Sequence, residues 1–198
     1  MKNSSAITII LLALSLSACV QRQNQVKPAG KLFIIGGGNR TDSMMNKMVD
    51  ISGVRTEGYV YILPMASATP DSAIIWTKDD FNVTGIKKVY GYNFKAGELP
   101  PKAQLDSLRN AKLIFISGGD QARFMSVVLN TPIMDAIHQD YKNGSVIAGT
   151  SAGAAVMSKK MITGNQKKHT EPEAGFVTIE SDNIEVTQGL GLLADIII

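Results

Sequence analysis

Short apolar runs recur along this chain with room for one helix between each and the next, and no other feature restricts its fold so strongly. The runs are KLFIIGG (31–37), YVYILPM (59–65), IKKVYGY (86–92), KLIFISGG (112–119) and SVIAGT (145–150). All are rich in β-branched and aromatic residues, and most end at Gly or Pro, so five strands are predicted. Between them lie DSMMNKMVDIS (42–52), SAIIWTKDDFN (72–82), KAQLDSLRN (102–110), RFMSVVL (123–129) and PIMDAIHQDYKN (132–143), with helical spacing of their apolar positions. Several strands are continuously apolar rather than alternating, which a sheet tolerates only when both faces are covered. The expected architecture is therefore α/β, a three-layer sandwich around a mostly parallel sheet.

That pattern starts only at Lys31. Upstream, Lys2 precedes the apolar run AITIILLALSL (6–16), which has the length of an export signal and is short for a bilayer span. The run closes on Leu16-Ser17-Ala18-Cys19, similar to a bacterial lipobox, so residues 1–18 read as a signal peptide and Cys19 as a lipidation site. Residues 19–30, polar and carrying Pro28 and Gly30, read as a lipidated tether, and 31–198 as the folded domain. The expected location is outside the cytoplasm, membrane-anchored at the periplasmic side or the cell surface. Cys19 is the one cysteine and His138 and His169 are the two histidines, so neither an internal disulfide nor a Cys- or His-rich metal centre is expected. The 20 basic and 17 acidic residues are scattered, with no basic block interleaved with aromatics, which argues against a nucleic-acid partner.

In open parallel sheets the chemistry sits at the carboxyl ends of the strands. Three turns there are unusual: Gly36-Gly37-Gly38-Asn39, Gly118-Gly119-Asp120-Gln121 and Gly149-Thr150-Ser151-Ala152-Gly153. The last matches G-x-S-x-G between a strand and a small-residue helix start, the setting of a nucleophile elbow. Ser151 is then a nucleophile held at a strained turn, and the helix beginning at Ala152 presents N–H groups suited to an oxyanion. A serine at this place also serves as an ordinary helix N-cap. Gly119 offers a second main-chain donor, completing an oxyanion hole with Ala152. Asp120 and Gln121 are candidate substrate contacts, or a helix cap and a first-turn helix residue. The GGGN turn lacks the full spacing of a dinucleotide fingerprint and reads as pocket lining through Gly37.

Taken together, IIGGG, ISGGDQ and IAGTSAGAAVMS followed by MITGN resemble the cyanophycinase family of serine peptidases, which also contains aspartyl dipeptidase. The likeness runs from about Gly30 to the end of the chain. It implies a fold similar to class I glutamine amidotransferases (flavodoxin-like) and a Ser151 nucleophile. It also implies exopeptidase cleavage of a polymer of aspartate bearing arginine, releasing β-Asp-Arg dipeptides, with no metal or organic cofactor. An aspartyl dipeptidase or isopeptidase, or a non-catalytic peptide-binding lipoprotein, remains open, as does a homodimer. Asp120 stands where cyanophycinases more often carry Asn. The family's histidine follows a late strand, and the run Ala194–Ile198 reads as that strand, so the base is expected beyond Ile198. Of the chain's own imidazoles, His138 falls mid-helix and His169 in a polar stretch. The triad acid is open among Glu171, Glu173, Glu180 and Glu185, and distance from the serine favours Glu171.

Overall fold

A computed structural model describes residues 28–169 and 180–198. The signal and lipobox segment with Cys19, and the candidate acids Glu171 and Glu173, lie outside the described residues.

Five strands form one parallel sheet: β1 (Lys31–Ile35), β2 (Val60–Leu63), β3 (Val89–Gly91), β4 (Leu113–Ile116) and β5 (Val146–Thr150). Their order is β1-β5-β4-β2-β3. β2 to β5 keep the order of a flavodoxin-like sheet, and β1 occupies the edge beside β5 where that fold has its last strand. The register aligns the sites that matter: Ile35 pairs with Thr150, and Ile116 with Gly149, so the turns after β1, β4 and β5 emerge side by side.

The helices are α1 (Asp42–Ser52), α2 (Pro70–Asn82), α3 (Lys102–Leu108), α4 (Gln121–Val128), α5 (Pro132–Asn143) and the short α6 (Ala152–Ala155). They divide into two layers because each strand sends alternate side chains to opposite faces. Tyr61, Leu63, Ile114, Ile116 and Ile147 pack with Leu108 of α3, Phe124 and Val128 of α4, Ile137 of α5 and Val156 after α6. Val60, Ile62, Leu113, Phe115 and Val146 pack on the other face with Met45, Met48 and Val49 of α1 and Phe81 of α2. β2, β4 and β5 are buried throughout, which explains their unbroken apolar sequences. Helix ends follow local chemistry. Thr131 accepts from the Ile133 N–H to cap α5, Pro132 begins it, and Gly144 ends it at φ 109°.

Two features depart from the sequence reading. A separate antiparallel pair, β6 (Lys160–Gln166) and β7 (Ile184–Gln188), follows α6. In addition, residues 194–198 do not form the expected strand. Among the described residues the isoleucine run pairs in no ladder. The Ile198 N–H donates to Ser158 Oγ at 3.1 Å and its carbonyl accepts from Ile162 at 3.2 Å, while Ile196 and Ile197 stay exposed. An apolar run becomes a strand only where a neighbour offers a full set of main-chain partners.

Candidate active site

β5 runs buried to Thr150 and the chain then reverses at Ser151, whose backbone sits at φ 52° and ψ −114°. A non-glycine residue adopts such a conformation only when its surroundings impose it. Here the Ser151 N–H donates to the Ile35 carbonyl at 2.9 Å, and the Ser151 carbonyl accepts from Ala154 and Ala155 at 2.9 and 3.0 Å. The flanking glycines are required by space. A Cβ on Gly149 would lie 2.2 Å from the Gly153 carbonyl oxygen, and one on Gly153 would lie 2.3 Å from that of Ile116. The Ser151 side chain makes no capping bond to α6, and the residue is exposed. The N-cap alternative is therefore not the role the hydroxyl takes.

The other two glycine turns close around this serine. Ideal Cβ atoms on Gly37 and Gly118 would stand 3.7 and 3.5 Å from Ser151 Cβ, so side chains there would crowd the approach to the hydroxyl. Gly119, at φ 136°, passes so close to the turn after β2 that a Cβ would fall 2.1 Å from the Ala66 carbonyl oxygen. Among the described residues, neither the Gly119 nor the Ala152 N–H has an intramolecular acceptor. Gly119→Ala is expected to push this turn off its position and slow reaction of Ser151 with a fluorophosphonate by about tenfold or more, since small displacements at such sites are costly. A labelling rate equal to wild type would show that the turn does not serve Ser151.

Asp120 Oδ1 accepts from the Arg123 N–H at 3.0 Å and caps α4, and its Oδ2 lies 4.0 Å from Arg123 Nη2. Gln121 Nε2 donates to the Ile162 carbonyl at 2.7 Å and ties β6 to the start of α4. Both side chains thus hold the framework of the site, one through the helix and one through the hairpin. His138 Nε2 meets the Leu190 carbonyl at 2.6 Å, on the α5 side of a different cavity of about 790 Å³. His169 Nε2 is 2.9 Å from Glu180 Oε1, and Lys168 Nζ is 3.3 Å from Glu180 Oε2. These two partners, His169 foremost, hold the Glu180 carboxyl below its ordinary range. Glu185 accepts from Thr163 Oγ1 at 2.6 Å and Asn165 Nδ2 at 2.9 Å, which lowers its pKa too. Among the described residues no imidazole is hydrogen-bonded to Ser151.

Three contributors carried no motif. Ala66, after β2, accepts at its carbonyl from the Asp120 N–H at 2.9 Å and Arg123 Nη1 at 3.0 Å, so one oxygen fixes the turn bearing Gly119. Arg123 is the second contributor. Arg40 is the third: its Nε donates to Asp80 Oδ2 at 2.8 Å, Nη2 bonds the same oxygen, and its guanidinium lies 5.5 Å from the Phe115 ring centroid. It anchors the turn carrying Gly37 to α2. The small-residue run Ala66-Ser67-Ala68 directly after a buried strand was the one available sequence signal for the first.

The chain is similar to known proteins in sequence and in fold. The model for Peptidase family S51 matches residues 32–198. The cyanophycinase of Nostoc sp. (strain PCC 7120) is 35% identical over 147 residues, covering 72% of this chain and 46% of that protein. The cyanophycinase of Geminocystis herdmanii is 30% identical over 147 residues, covering 72% and 50%. The chain thus spans about half the length of the curated relatives it matches. Among solved structures, a peptidase from an acI-B1 Actinobacterium superposes with a TM-score of 0.64 at 19% identity, over 85% of this chain and 66% of that one. A putative peptidase E from Listeria monocytogenes EGD-e gives 0.54 at 15%, over 83% and 75%. These two speak for the fold, a mostly parallel sheet between helical layers. Matched along nearly the whole described domain by the family model, this chain belongs to Peptidase family S51.

Proposed function

We propose that this chain carries the nucleophile of a serine exopeptidase acting on an aspartate polymer with arginine side chains, and that it releases β-Asp-Arg dipeptides. The observation that carries the reading is Ser151, exposed and uncapped at φ 52° between two glycine turns. In the first step Oγ attacks the scissile carbonyl carbon and its proton passes to an imidazole base. The oxyanion is met by the unbonded N–H groups of Gly119 and Ala152. Collapse expels the amine, which takes the proton from the imidazolium, and leaves an ester on Ser151. Water then attacks that ester with the same base assisting, and the acid product departs. The base must come to Ser151 from somewhere other than the observed positions of His138 and His169. No metal or organic cofactor enters these steps. The relatives' shared name, cyanophycinase, supports the choice of substrate.

The same reading includes export and a lipid anchor at Cys19, supported by the apolar run 6–16 and by Leu16-Ser17-Ala18-Cys19. The deciding experiment gives the whole protein, as its cell makes it, soluble aspartate–arginine polymer and a panel of Asp-Xaa dipeptides, and follows products by chromatography. Dipeptides of β-Asp-Arg released from the polymer are expected. An untouched polymer with cleaved Asp-Xaa dipeptides would assign the dipeptidase alternative. Cleavage of neither, together with no fluorophosphonate adduct on Ser151, would leave a peptide-binding lipoprotein.

A further inference from the structure

A second cavity, of about 380 Å³, lies between the turns after β2 and β3 and one face of α4. Its volume falls in the range of small-ligand sites. The inner wall is apolar, from Met65, Phe94 and Val127, and the polar lining comes from Ser67, Asn93, Lys95 and Arg123. Among the described residues no carboxylate lines it. We propose that this cavity is a carboxylate-binding subsite for a substrate unit remote from the scissile bond, with Lys95 and Arg123 supplying the positive charge. The identity of the substrate rests on the function proposed above, whereas the anion preference stands on the cavity itself.

Four observations lead there. The Arg123 guanidinium is pre-positioned by its Nη1 bond to the Ala66 carbonyl at 3.0 Å, which leaves Nε and Nη2 as donors. Asp120, the carboxylate nearest to Arg123, has committed Oδ1 to the α4 cap and keeps Oδ2 4.0 Å from Nη2, too long for a hydrogen bond. Lys95 is exposed and makes no ion pair among the described residues. The cavity also adjoins the point where the strand order reverses, since β3 lies on one side of β2 and β4 on the other. Such crevices are where open α/β sheets bind ligands.

Distance says which part of a substrate would reach it. Ser151 follows β5, and the cavity lies beyond β4, at β2 and β3. Two to three inter-strand steps span roughly 10–15 Å, the reach of three or four extended residues. A dipeptide held at Ser151 therefore falls short, and a polymer does not. In an aspartate–arginine polymer each arginine is joined through its amino group and keeps a free carboxylate, so carboxylates recur along the chain. Ala66 links the two places: its carbonyl orders Arg123 and the Gly119 turn together, and Ser67 next to it lines the cavity.

The test uses Ser151→Ala protein, to prevent turnover, and calorimetric titration with the trimer of β-Asp-Arg units, either with free arginine carboxylates or with those carboxylates amidated. The free acid is expected to bind about tenfold more tightly than the amide. Lys95→Gln is expected to abolish most of that difference while leaving amide binding unchanged, and Arg123→Lys, which keeps the charge but not the fork, to keep part of it. Equal binding of acid and amide, or a Lys95→Gln variant that retains the full preference or weakens both ligands alike, would overturn the subsite. Fluorophosphonate labelling of Ser151 in the unmutated protein separates the two proposals. Labelling without a carboxylate preference discards the subsite and keeps the peptidase; the reverse pattern keeps the subsite and discards the peptidase.

Discussion

Ser151→Ala is expected to lower polymer hydrolysis by the whole protein by roughly 10⁴-fold or more and to abolish the fluorophosphonate adduct seen by mass spectrometry. The size follows from what the substitution leaves. Gly119 and Ala152 would keep their free N–H groups, so a carbonyl would still be polarised, but no oxygen would remain to form the ester. The fold should survive, because the unusual backbone at 151 is held by main-chain bonds to Ile35, Ala154 and Ala155 that alanine also makes. An unchanged thermal midpoint accompanied by lost labelling is thus the expected pair of results. Ser151→Cys should keep a nucleophile at the same tip and react with thiol-directed reagents. If the adduct forms on Ser151→Ala protein, the nucleophile lies elsewhere and the elbow has been misassigned.

The second large effect concerns stability, and it lies far from Ser151. Asp140 of α5 is 2% exposed, and its Oδ2 meets no hydrogen-bond partner among the described residues. Burial raises its pKa from 3.8 to about 7, with the Arg109 charge pulling the other way. Below pH 3.8 the carboxyl is protonated whether the chain is folded or not, and it carries no penalty. As pH climbs from there to 7, the unfolded chain ionises first, so folding loses ground, and the loss is complete above 7. At about 1.4 kcal/mol per unit the full effect is at most about 4 kcal/mol. Asp140→Asn removes the titration. Urea unfolding of both proteins at several pH values between 4 and 8 should show the variant gaining on the wild type steadily through that window. A difference independent of pH would mean that Asp140 is solvated or paired in solution.

The expectation that a buried carboxylate sits in α5 was not available from its sequence, where Asp140 reads as one polar residue on a helix with a good apolar stripe. Helix periodicity reports which face turns inward, but the groups that act electrostatically with Asp140, Tyr59 and Arg109, come from the residue before β2 and the residue after α3. Similar limits explain the hairpin. β6 contains Gly164 and polar residues, its partner β7 is distant along the chain, and the ladder between them is irregular between Ile162 and Gln166. No alternation survives in such a strand. The apolar end at 196–198, by contrast, has strand composition and no strand, because only two of its main-chain groups find partners in the described structure.

Elsewhere the local rules sufficed. β1 to β5 and α1 to α5 all fall within or beside the runs read from hydrophobic pattern, since a strand buried on both faces and a helix buried on one leave distinct periodicities. The boundaries differ where side-chain caps intervene: α4 begins at Gln121 because Asp120 caps it, and β4 stops at Ile116 because Ser117, Gly118 and Gly119 turn away toward α4.

The linear code, then, determined the alternation of strands and helices, the strained serine and the three glycine turns, because each is a property of a few consecutive residues and the steric limits on their backbone. Only the tertiary structure decided that these turns converge, that Ala66 and two arginines hold them, and that a cationic cavity opens beside them. Those facts depend on the order in which strands pair, and strand order joins residues that are far apart along the chain.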